Sequence, residues 1–435
     1  QPEINARLVA ESLAGRCVAR LKGGDPAIFG RLAEELDALD RNGVPYEIVP
    51  GVSAAQAAAS YAGAPLTDRE DSSAVAFVAG HEDNDKTDSF LDYAALAKFP
   101  GTLVFYMGVT TAGSWSRALI EHGRPSDEPA VIVRRVSWPD QRVYRTTLAG
   151  LPEALDQRRP DRIRPPALVI VGPVAGRVRL DAWFTRRPLF GRTVLVTRAA
   201  EQAGRLVSQL GELGAAVLTQ PAISIGEPDD FGPLDAALDR LGEFDWIVFS
   251  STNGVQAFCE RLWQKADVRR LGSVKLAAIG PATAEALQAY RLRCDLTPAE
   301  FRAESLAAAL ASQAAGRKFL LVRASRGREI LAEELSRAGG IVEQVVAYAS
   351  RDVTSPDPDV LAALEAGKLD WTTVSSSAIA RSLVALFGEK LRQTKLASIS
   401  PITSGVLREC GFEPAAEASV YTLDGLIEAV RRAES

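Results

Sequence analysis

Two kinds of residue group in this sequence could bind a ligand. The first is a loop that contains Gly23, Gly24 and Asp25. Glycine lets a backbone approach a ligand closely, and a carboxylate accepts hydrogen bonds from a ribose hydroxyl or an ammonium group. The loop therefore predicts a site for a small polar cofactor, although many glycine pairs that follow a strand form only a turn.

The second group consists of four turns rich in serine and threonine. Each turn follows an apolar run and precedes a helical pattern, and the polar members are Ser250, Ser251, Thr252, Asn253, Thr283, Ser375, Ser376 and Thr403. Such turns bind anions because the first N–H groups of a helix have no partner within it. Serine and threonine also cap helices without binding any ligand. Because the turns form two matching pairs, we predict a cleft that binds several carboxylates.

An internal repeat relates these two pairs of turns. Leu-Val-Thr-Arg at 195–198 and Leu-Leu-Val-Arg at 320–323 are 125 residues apart, and the same offset relates Asp-Trp at 245–246 to Asp-Trp at 370–371. The turn that contains Thr283 recurs 120 residues later at Thr403. Matches in the same order in both copies predict two similar α/β lobes.

Strand-like apolar runs alternate with helical patterns along the whole chain. The predicted strands are 74–79, 102–106, 130–133, 167–171, 193–197, 246–249, 276–279 and 319–322. Such alternation predicts α/β lobes with mostly parallel sheets. Another strand-like run, 17–21, precedes the glycine loop, and a helical pattern follows it at 31–40. We therefore expect the loop at the carboxyl end of a strand.

The composition excludes several classes of protein. The chain has 435 residues and a net charge of −5, which argues against a protein that coats nucleic acid. Its four cysteines and two histidines are scattered, so no metal site is predicted. We find no run that resembles a membrane span or a signal peptide. We therefore expect a cytoplasmic protein with no nucleic-acid or membrane partner.

The first part of the chain resembles the tetrapyrrole methylases, in particular uroporphyrinogen-III C-methyltransferases. The matching motifs are Arg-Leu-Lys-Gly-Gly-Asp-Pro-Ala-Ile-Phe-Gly at 20–30, Val-Pro-Gly-Val-Ser-Ala-Ala at 49–55 and Leu-Val-Phe-Tyr-Met-Gly at 103–108. The resemblance implies S-adenosyl-L-methionine as the cofactor and uroporphyrinogen III as the substrate. The implied cofactor-binding residues are Gly23, Gly24, Asp25, Ile28, Ser53, Ala54 and Met107. Met107 also suits packing in a core.

This part departs from the pattern of the family it resembles. The family's first glycine-rich loop is absent, a helical pattern begins directly after Gln1, and Val136 stands where the family has a glycine near the cofactor. We expect that an amino-terminal segment is missing and that the methylase is incomplete. Two interpretations stay open: methylation of uroporphyrinogen III to precorrin-2, and an inactive remnant that supports a homodimer.

The second half, from about 190 to 435, resembles uroporphyrinogen-III synthases. The motifs are Val-Leu-Val-Thr-Arg at 194–198, Phe-Ser-Ser-Thr-Asn-Gly at 249–254, Ile-Gly-Pro-Ala-Thr-Ala at 279–284 and Val-Ala-Tyr at 346–348. The resemblance implies two lobes with a hinge connector that close linear hydroxymethylbilane into a ring, with inversion of ring D and without a cofactor. It implies that Tyr348 assists loss of the terminal hydroxyl; otherwise Tyr348 packs as a strand residue. Arg198 binds a substrate carboxylate or lies solvated at a strand end.

Together these features predict an α/β fold class, in which a truncated methylase fold precedes a two-lobed synthase-like fold. The predicted segments are 1–70 (remnant of the first methylase lobe), 71–175 (second methylase lobe), 176–187 (linker), 188–222 with 350–435 (lobe one of the synthase) and 223–349 (lobe two). Duplicated lobes also suit a non-catalytic binding protein for anions. An assay with hydroxymethylbilane separates the two classes of function.

Overall fold

The computed structural model describes residues 1–81, 90–158, 162–327 and 329–434. They form two compact units. The first unit comprises 1–194 with 206–218 and 430–435, and the second comprises 195–205 with 219–429. Among the described residues, no helix is both long and apolar enough to span a membrane.

The described part of residues 1–171, within the first unit, contains one five-stranded sheet and six α-helices. The strands are β1 (Val75–Ala79), β2 (Thr102–Tyr106), β3 (Pro129–Arg134), β4 (Arg142–Thr147) and β5 (Ala167–Val171). The helices are α1 (Pro2–Leu13), α2 (Leu32–Arg41), α3 (Ala54–Ala62), α4 (Tyr93–Ala97), α5 (Ala112–Glu121) and α6 (Leu151–Ala154). Alanines of α3 pack on the sheet, where Ala55, Ala58 and Ala62 are fully buried.

The strand order in this sheet is β1-β2-β5-β3-β4. Only β1 and β2 are parallel; β2 with β5, β5 with β3, and β3 with β4 are antiparallel. The prediction of mostly parallel sheets is therefore wrong for this unit. The connection from β3 to β4 is a short hairpin, and a parallel pair would need a crossover of a dozen or more residues.

The strand predicted at 17–21 does not form. This segment lies outside the strands of the described sheet, and Val18 and Leu21 are 39% and 85% exposed. A strand is stable only when its backbone groups pair with a neighbour, and no described strand pairs with this one. The glycine loop thus follows an extended segment rather than a strand of the sheet.

The second half of the chain forms two further sheets. The strands are β6 (Thr193–Val196), β7 (Ala216–Thr219), β8 (Ile223–Gly226), β9 (Trp246–Phe249), β10 (Lys275–Ala278), β11 (Lys318–Ala324), β12 (Ile341–Asp352), β13 (Trp371–Val374), β14 (Lys395–Ser398) and β15 (Ala416–Glu417). The helices are α7 (Ala200–Glu212), α8 (Gly232–Asp239), α9 (Thr252–Lys265), α10 (Pro281–Ala289), α11 (Ala303–Ala311), α12 (Ile330–Arg337), α13 (Pro358–Glu365), α14 (Ser377–Phe387), α15 (Pro401–Glu409) and α16 (Leu423–Glu434).

The second sheet has the order β10-β9-β11-β12-β8, and the third has the order β15-β14-β13-β6-β7. We call the part built on the third sheet lobe one and the part built on the second sheet lobe two. In β9, Ile247 and Phe249 face one apolar core and Trp246 and Val248 face another. Alternation along the strand thus buries both faces of the second sheet.

The repeat explains the distribution of strands between the lobes. The copy that begins at 195 has its first strand, β6, in lobe one and its next repeated strand, β9, in lobe two. The second copy reverses this order, with β11 in lobe two and β13 in lobe one. The α/β fold class is confirmed, whereas the exact domain boundaries stay predictions.

Candidate functional site

Asp25 joins the predicted cofactor loop of the first unit to the loop that contains Gly51. The backbone N–H groups of Ala27 and Gly51 donate to the two carboxylate oxygens of Asp25 at 2.9 and 3.0 Å. Hydrogen bonds from Gly51 and then Ala27 hold the pKa of Asp25 below its usual value. Asp25 therefore has a structural partner for each oxygen, and its first role is to join the two loops.

Further contacts bring three segments of the predicted cofactor site together. The ring of Phe29 lies 4.9 Å from the ring of Tyr106, and the N–H of Ala55 donates to the Tyr106 hydroxyl at 2.9 Å. Phe29 and Met107 both have a positive φ, 53° and 56°. Residues outside glycine adopt this conformation at an energetic cost, and such positions cluster at ligand sites.

The seven predicted cofactor residues differ in their exposure. Ser53 is buried at 2%, whereas Met107 is 55% exposed. Gly23 and Ala54 are exposed, and Gly24, Asp25 and Ile28 are half-buried. An exposed apolar side chain and exposed glycine backbone therefore both occur in these segments, and a cofactor with an apolar ring and polar groups needs both. Ser53 directly precedes α3, and its buried hydroxyl is not open to a ligand.

Gly51 is required where these loops approach each other. A Cβ at this position would lie 2.8 Å from the carbonyl oxygen of Gly24, whereas a Cβ at Gly23 would meet no described atom within 4 Å. We expect Gly51→Ala to lower the free energy of unfolding of the first unit by about 1–3 kcal/mol. Thermal unfolding checks this with Gly23→Ala as the control, and equal melting temperatures for the two variants would contradict it.

Tyr348 lies in lobe two at a change of strand pairing. Up to this residue β12 runs parallel to β11, and from Ala349 onwards it pairs antiparallel with β8. The register shifts at Arg323 and Ala324, and Ala324 is the partner of Tyr348. Such irregularities redirect side chains and are frequent beside active sites.

The phenol of Tyr348 is hydrogen-bonded and nearly enclosed. Its oxygen lies 2.9 Å from Ser251 Oγ, and the residue is 8% exposed. Burial raises the pKa of Tyr348, and the hydrogen bond from Ser251, together with the nearby Asn253 side chain, opposes part of this rise. The residue borders a cavity of about 290 Å³ whose walls include Asn253 and Phe231. Tyr348 is therefore protonated at neutral pH and can donate a proton or a hydrogen bond.

Ser251 and Ser376 cap the two matching helices. Ser251 Oγ accepts from the N–H of Gly254 at 3.0 Å, and Ser376 Oγ accepts from the N–H of Ile379 at 3.2 Å. Capping, which the sequence left as the alternative to anion binding, is what the structure shows for these two hydroxyls. Ser251 has a second role because it also contacts Tyr348.

The prediction of open hydroxyls is wrong for Thr283 and Thr403. Their exposed fractions are 4% and 2%, and both residues lie in the first turn of a helix that packs on its sheet. The N–H of Thr403 is bonded to Ser400 Oγ, and the N–H of Thr283 to the carbonyl of Gly280. These turns therefore offer a ligand neither a threonine hydroxyl nor the threonine N–H group.

Arg198 is a cation whose described partners are all uncharged. Its Nη2 donates to Gln202 Oε1 at 2.7 Å and its Nη1 to Ser375 Oγ at 3.4 Å, and its Nε is buried without a partner. Burial lowers the pKa of the guanidinium, which nevertheless keeps its charge. Among the described side chains, no carboxylate pairs with it. An arginine in this state favours an anionic ligand.

The repeat supplies a contrast, because Arg323 occupies the equivalent position in lobe two. Arg323 forms an ion pair with Glu329 and donates to Gln344 Oε1 at 2.7 Å. Its charge is therefore compensated within the protein. The sequence alone does not distinguish the two arginines, whereas their partners in the structure do.

The structure adds Gln202 to the candidate site. Gln202 Nε2 donates to Asn253 Oδ1, so a residue of lobe one contacts a predicted residue of lobe two. Ser375 belongs to the same group because its hydroxyl accepts from Arg198. Ser250 is exposed, and its Oγ lies 3.5 Å from the carbonyl oxygen of Val322. No repeat or motif marks Gln202, so the sequence offered no signal for it.

Ser376 gives a direct test of the capping role. We expect Ser376→Ala to lower the free energy of unfolding by about 1 kcal/mol, because one N–H of the first turn of α14 loses its partner. Chemical denaturation measures this, and the KM for substrate should stay unchanged. A raised KM with unaltered stability would instead support the original prediction that this hydroxyl binds substrate.

Comparison with known families shows to which family this chain belongs. The family model for uroporphyrinogen-III synthase HemD matches residues 204–428, which is more than half of the chain. The chain belongs to the uroporphyrinogen-III synthase family. The model for tetrapyrrole (corrin/porphyrin) methylases matches residues 1–152. The chain is thus a fusion of a methylase region with a synthase region, as its motifs predicted.

Individual relatives agree with both regions. The porphyrin biosynthesis protein HemD of Ruminiclostridium josui is 33% identical over 408 residues, which cover 93% of this chain and 79% of that protein. The uroporphyrinogen-III C-methyltransferase of Bacillus subtilis is 35% identical over 279 residues, which cover 64% of this chain and 56% of that protein. An S-adenosyl-L-methionine-dependent uroporphyrinogen III methyltransferase of Methanosarcina barkeri is 43% identical over 174 residues, which cover 40% of this chain and 67% of that protein.

Proposed function

We propose that this chain closes hydroxymethylbilane into uroporphyrinogen III with inversion of ring D. One observation carries the proposal. Arg198, a cation without a described carboxylate partner, is joined through Gln202 to Asn253, and Asn253 lines the same cavity of the second unit as the protonated Tyr348. An acid and an anion site are the two groups that a polycarboxylate with a leaving hydroxyl requires.

Tyr348 acts on the hydroxyl that leaves. The phenol donates its proton to the departing hydroxyl, which leaves as water. The pyrrole ring that carried the hydroxymethyl group loses its N–H proton, which restores the phenol, and becomes an electrophilic azafulvene. The substituted carbon of ring D then attacks, and the spiro intermediate rearranges to the inverted ring. General acid assistance of this kind is worth about 10²–10⁴-fold. Ser251, bonded to both Tyr348 and the N–H of Gly254, fixes the phenol in place.

Arg198 holds a carboxylate of the substrate. Its guanidinium is fixed by Ser375 and Gln202, so little conformational freedom is lost when an anion binds. The N–H groups of Thr252 and Asn253 at the start of α9 supply further donors near Tyr348. Substrate position relative to Tyr348 then carries much of the rate enhancement.

The methylase region is proposed to hold S-adenosyl-L-methionine. Gly24 and Ile28 would lie along the cofactor, Met107 would pack against its adenine, and Ala54 would approach it at the start of α3. When bound, the cofactor would supply the methyl groups that convert uroporphyrinogen III to precorrin-2. The other interpretation, a region that does not catalyse methyl transfer and supports a homodimer, is kept as the second candidate because Asp25 uses both oxygens within the protein.

We further propose a cytoplasmic enzyme with small tetrapyrrole substrates, no nucleic-acid or membrane partner, and no cofactor in the synthase region. The test of the main proposal is incubation with hydroxymethylbilane, followed by chromatographic separation of the product isomers. An excess of the type III isomer supports the synthase. The type I isomer alone, which forms spontaneously, would leave the two-lobed binding protein as the better interpretation.

Addition of S-adenosyl-L-methionine to the same incubation tests the methylase region separately. A mass gain of two methyl groups on the product supports methyl transfer. Formation of type III product without that gain favours the region that does not catalyse methyl transfer.

A further inference from the structure

The connection between β3 and β4 carries closely spaced positive charges. Arg134 lies directly opposite Arg142 in the pairing of β3 with β4, and Arg135 follows Arg134. Among the described side chains, the carboxylate that pairs with these arginines is Asp140, which lies 3.4 Å from Arg134 and 2.7 Å from Arg135. Like charges directly opposite each other destabilise a sheet, and one carboxylate does not neutralise several guanidinium groups. The group therefore favours a ligand that carries more than one carboxylate.

An exposed tryptophan lies against these arginines. Trp138 is 52% exposed, and the guanidinium carbon of Arg135 lies 3.9 Å from the centre of its ring. We call Arg134, Arg135, Trp138 and Arg142 the β3–β4 patch. An exposed aromatic ring beside guanidinium groups offers both a flat apolar contact and charge-assisted hydrogen bonds. A ring system that bears carboxylates is the class of ligand that uses both.

A buried glutamine fixes the conformation of this connection. Gln141 is 1% exposed, accepts from the N–H of Ser137 at 2.9 Å and donates to the carbonyl oxygen of Tyr61 in α3 at 3.2 Å. Arg135 and Ser137 have positive φ values of 50° and 65°, which cost energy in residues other than glycine. The connection thus holds Arg135 and Trp138 in place before a ligand binds, so little conformational freedom is lost on binding.

The register of the first sheet places the patch beside the proposed cofactor site. Phe105 of β2 and Ile132 of β3 both pair with Val169 of β5. Both strands are antiparallel to β5, so they run parallel to each other and end at the same edge of the sheet. Two residues further along, Met107 and Arg134 therefore lie at the same level, and two strand spacings separate their backbones by about 10 Å. A ligand on the patch thus lies close to Met107, which packs against the adenine in the proposed function.

We propose that the β3–β4 patch binds the tetrapyrrole on which the methylase region acts. Its guanidinium groups bind carboxylates at the edge of the tetrapyrrole, and the indole of Trp138 contacts a pyrrole ring. The role of this ligand as methyl acceptor rests on the proposed function. The binding itself depends neither on methyl transfer nor on the synthase region.

Nuclear magnetic resonance of the full chain labelled with fluorotryptophan tests the patch without turnover. The probe is uroporphyrin III, an oxidised tetrapyrrole that keeps the carboxylates of the substrate. Its aromatic ring shifts the signal of a tryptophan that it contacts, and Trp138→Phe assigns the signal of Trp138. We expect this signal to shift during titration. Trp183 is the internal control, because it is 53% exposed in the same unit and has Arg187 over its ring, and its signal should stay unchanged.

Arg142→Gln tests the charge of the patch. The described hydrogen bond of the Arg142 side chain is to the carbonyl oxygen of Gln141 at 3.3 Å, so its loss should leave the sheet folded. We expect the Kd for uroporphyrin III, measured at the Trp138 signal, to rise about tenfold because one charge-assisted hydrogen bond is lost. Arg117→Gln, at an exposed position of α5, is the matched control and should keep Kd within about twofold of the wild type. Wild-type signals of the other tryptophans show that both variants fold.

Three results would overturn the proposal. They are a Trp138 signal that saturating uroporphyrin III leaves unchanged, an equal Kd in Arg142→Gln and the wild type, and displacement of uroporphyrin III by an equal concentration of inorganic pyrophosphate, which would indicate a site for any anion. These outcomes are independent of the proposed function. A shifted Trp138 signal supports the patch even if no methyl group is transferred, and an unshifted signal overturns it even if the product gains both methyl groups.

Discussion

Tyr348→Phe is expected to lower kcat for the type III product by about 10²–10⁴-fold, the range of general acid catalysis. The phenylalanine ring fills the same space in the core of lobe two, and Ser251 keeps its bond to the N–H of Gly254. The melting temperature should therefore change little, since the packing and the cap are retained. Initial rates of type III formation under saturating hydroxymethylbilane measure the effect.

Tyr290→Phe is the control for this substitution. Tyr290 packs in the same lobe with its ring 4.9 Å from that of Trp263, and it is not the hydrogen-bond partner given for the Tyr348 phenol, which is Ser251. Its loss of a hydroxyl should leave kcat within about twofold of the wild type, because no described hydrogen bond to Tyr348 depends on it. A wild-type kcat in Tyr348→Phe would remove the tyrosine from the mechanism.

Arg198→Met is expected to lower kcat/KM by about 10²-fold. The substrate carboxylate loses its charge-assisted partner in a partly buried site, and truncation of one member of such a pair costs about 2–5 kcal/mol. Most of the loss should come from KM, because Tyr348 and its bond to Ser251 remain. Steady-state kinetics over a range of hydroxymethylbilane concentrations separates the two constants.

Arg323→Met provides the matched control at the equivalent position of the repeat. The charge of Arg323 is already paired with Glu329, so no substrate carboxylate depends on it and kcat/KM should stay within about threefold of the wild type. Equal losses in both variants would mean that the pairing within the protein does not decide which arginine binds substrate.

The sequence predicted those features that depend on local pattern or on the repeat. The strands at Trp246 and Trp371 follow from apolar runs, and their exchange between lobes follows from the lobe arrangement that the resemblance to uroporphyrinogen-III synthases implied. Tyr348 was found through its family motif. The structure adds that its strand changes partner there, which the motif does not state.

Other features depend on contacts that no local pattern encodes. Thr283 and Thr403 begin helices as expected, but helix packing turns their side chains into the protein. The apolar run at 17–21 has the composition of a strand and lacks a described neighbour with which to pair. Gln202 and Asn253 are 51 residues apart, and their contact exists only because two lobes meet.

Arg198 shows most clearly what the structure contributes. The sequence left carboxylate binding and solvation as alternatives for a strand-end arginine. Its position beside Ser375 and Gln202, with no carboxylate partner among the described side chains, favours carboxylate binding. The same residue in the other copy of the repeat has the opposite environment.

The isomer ratio of the uroporphyrinogen formed from hydroxymethylbilane tests the central claim most directly. The purified chain should give the type III isomer in large excess over a no-enzyme incubation, and Tyr348→Phe should shift the ratio towards type I. Spontaneous closure gives type I because ring D is not inverted without the enzyme. A wild-type ratio equal to that of the no-enzyme incubation would contradict the assignment of synthase activity.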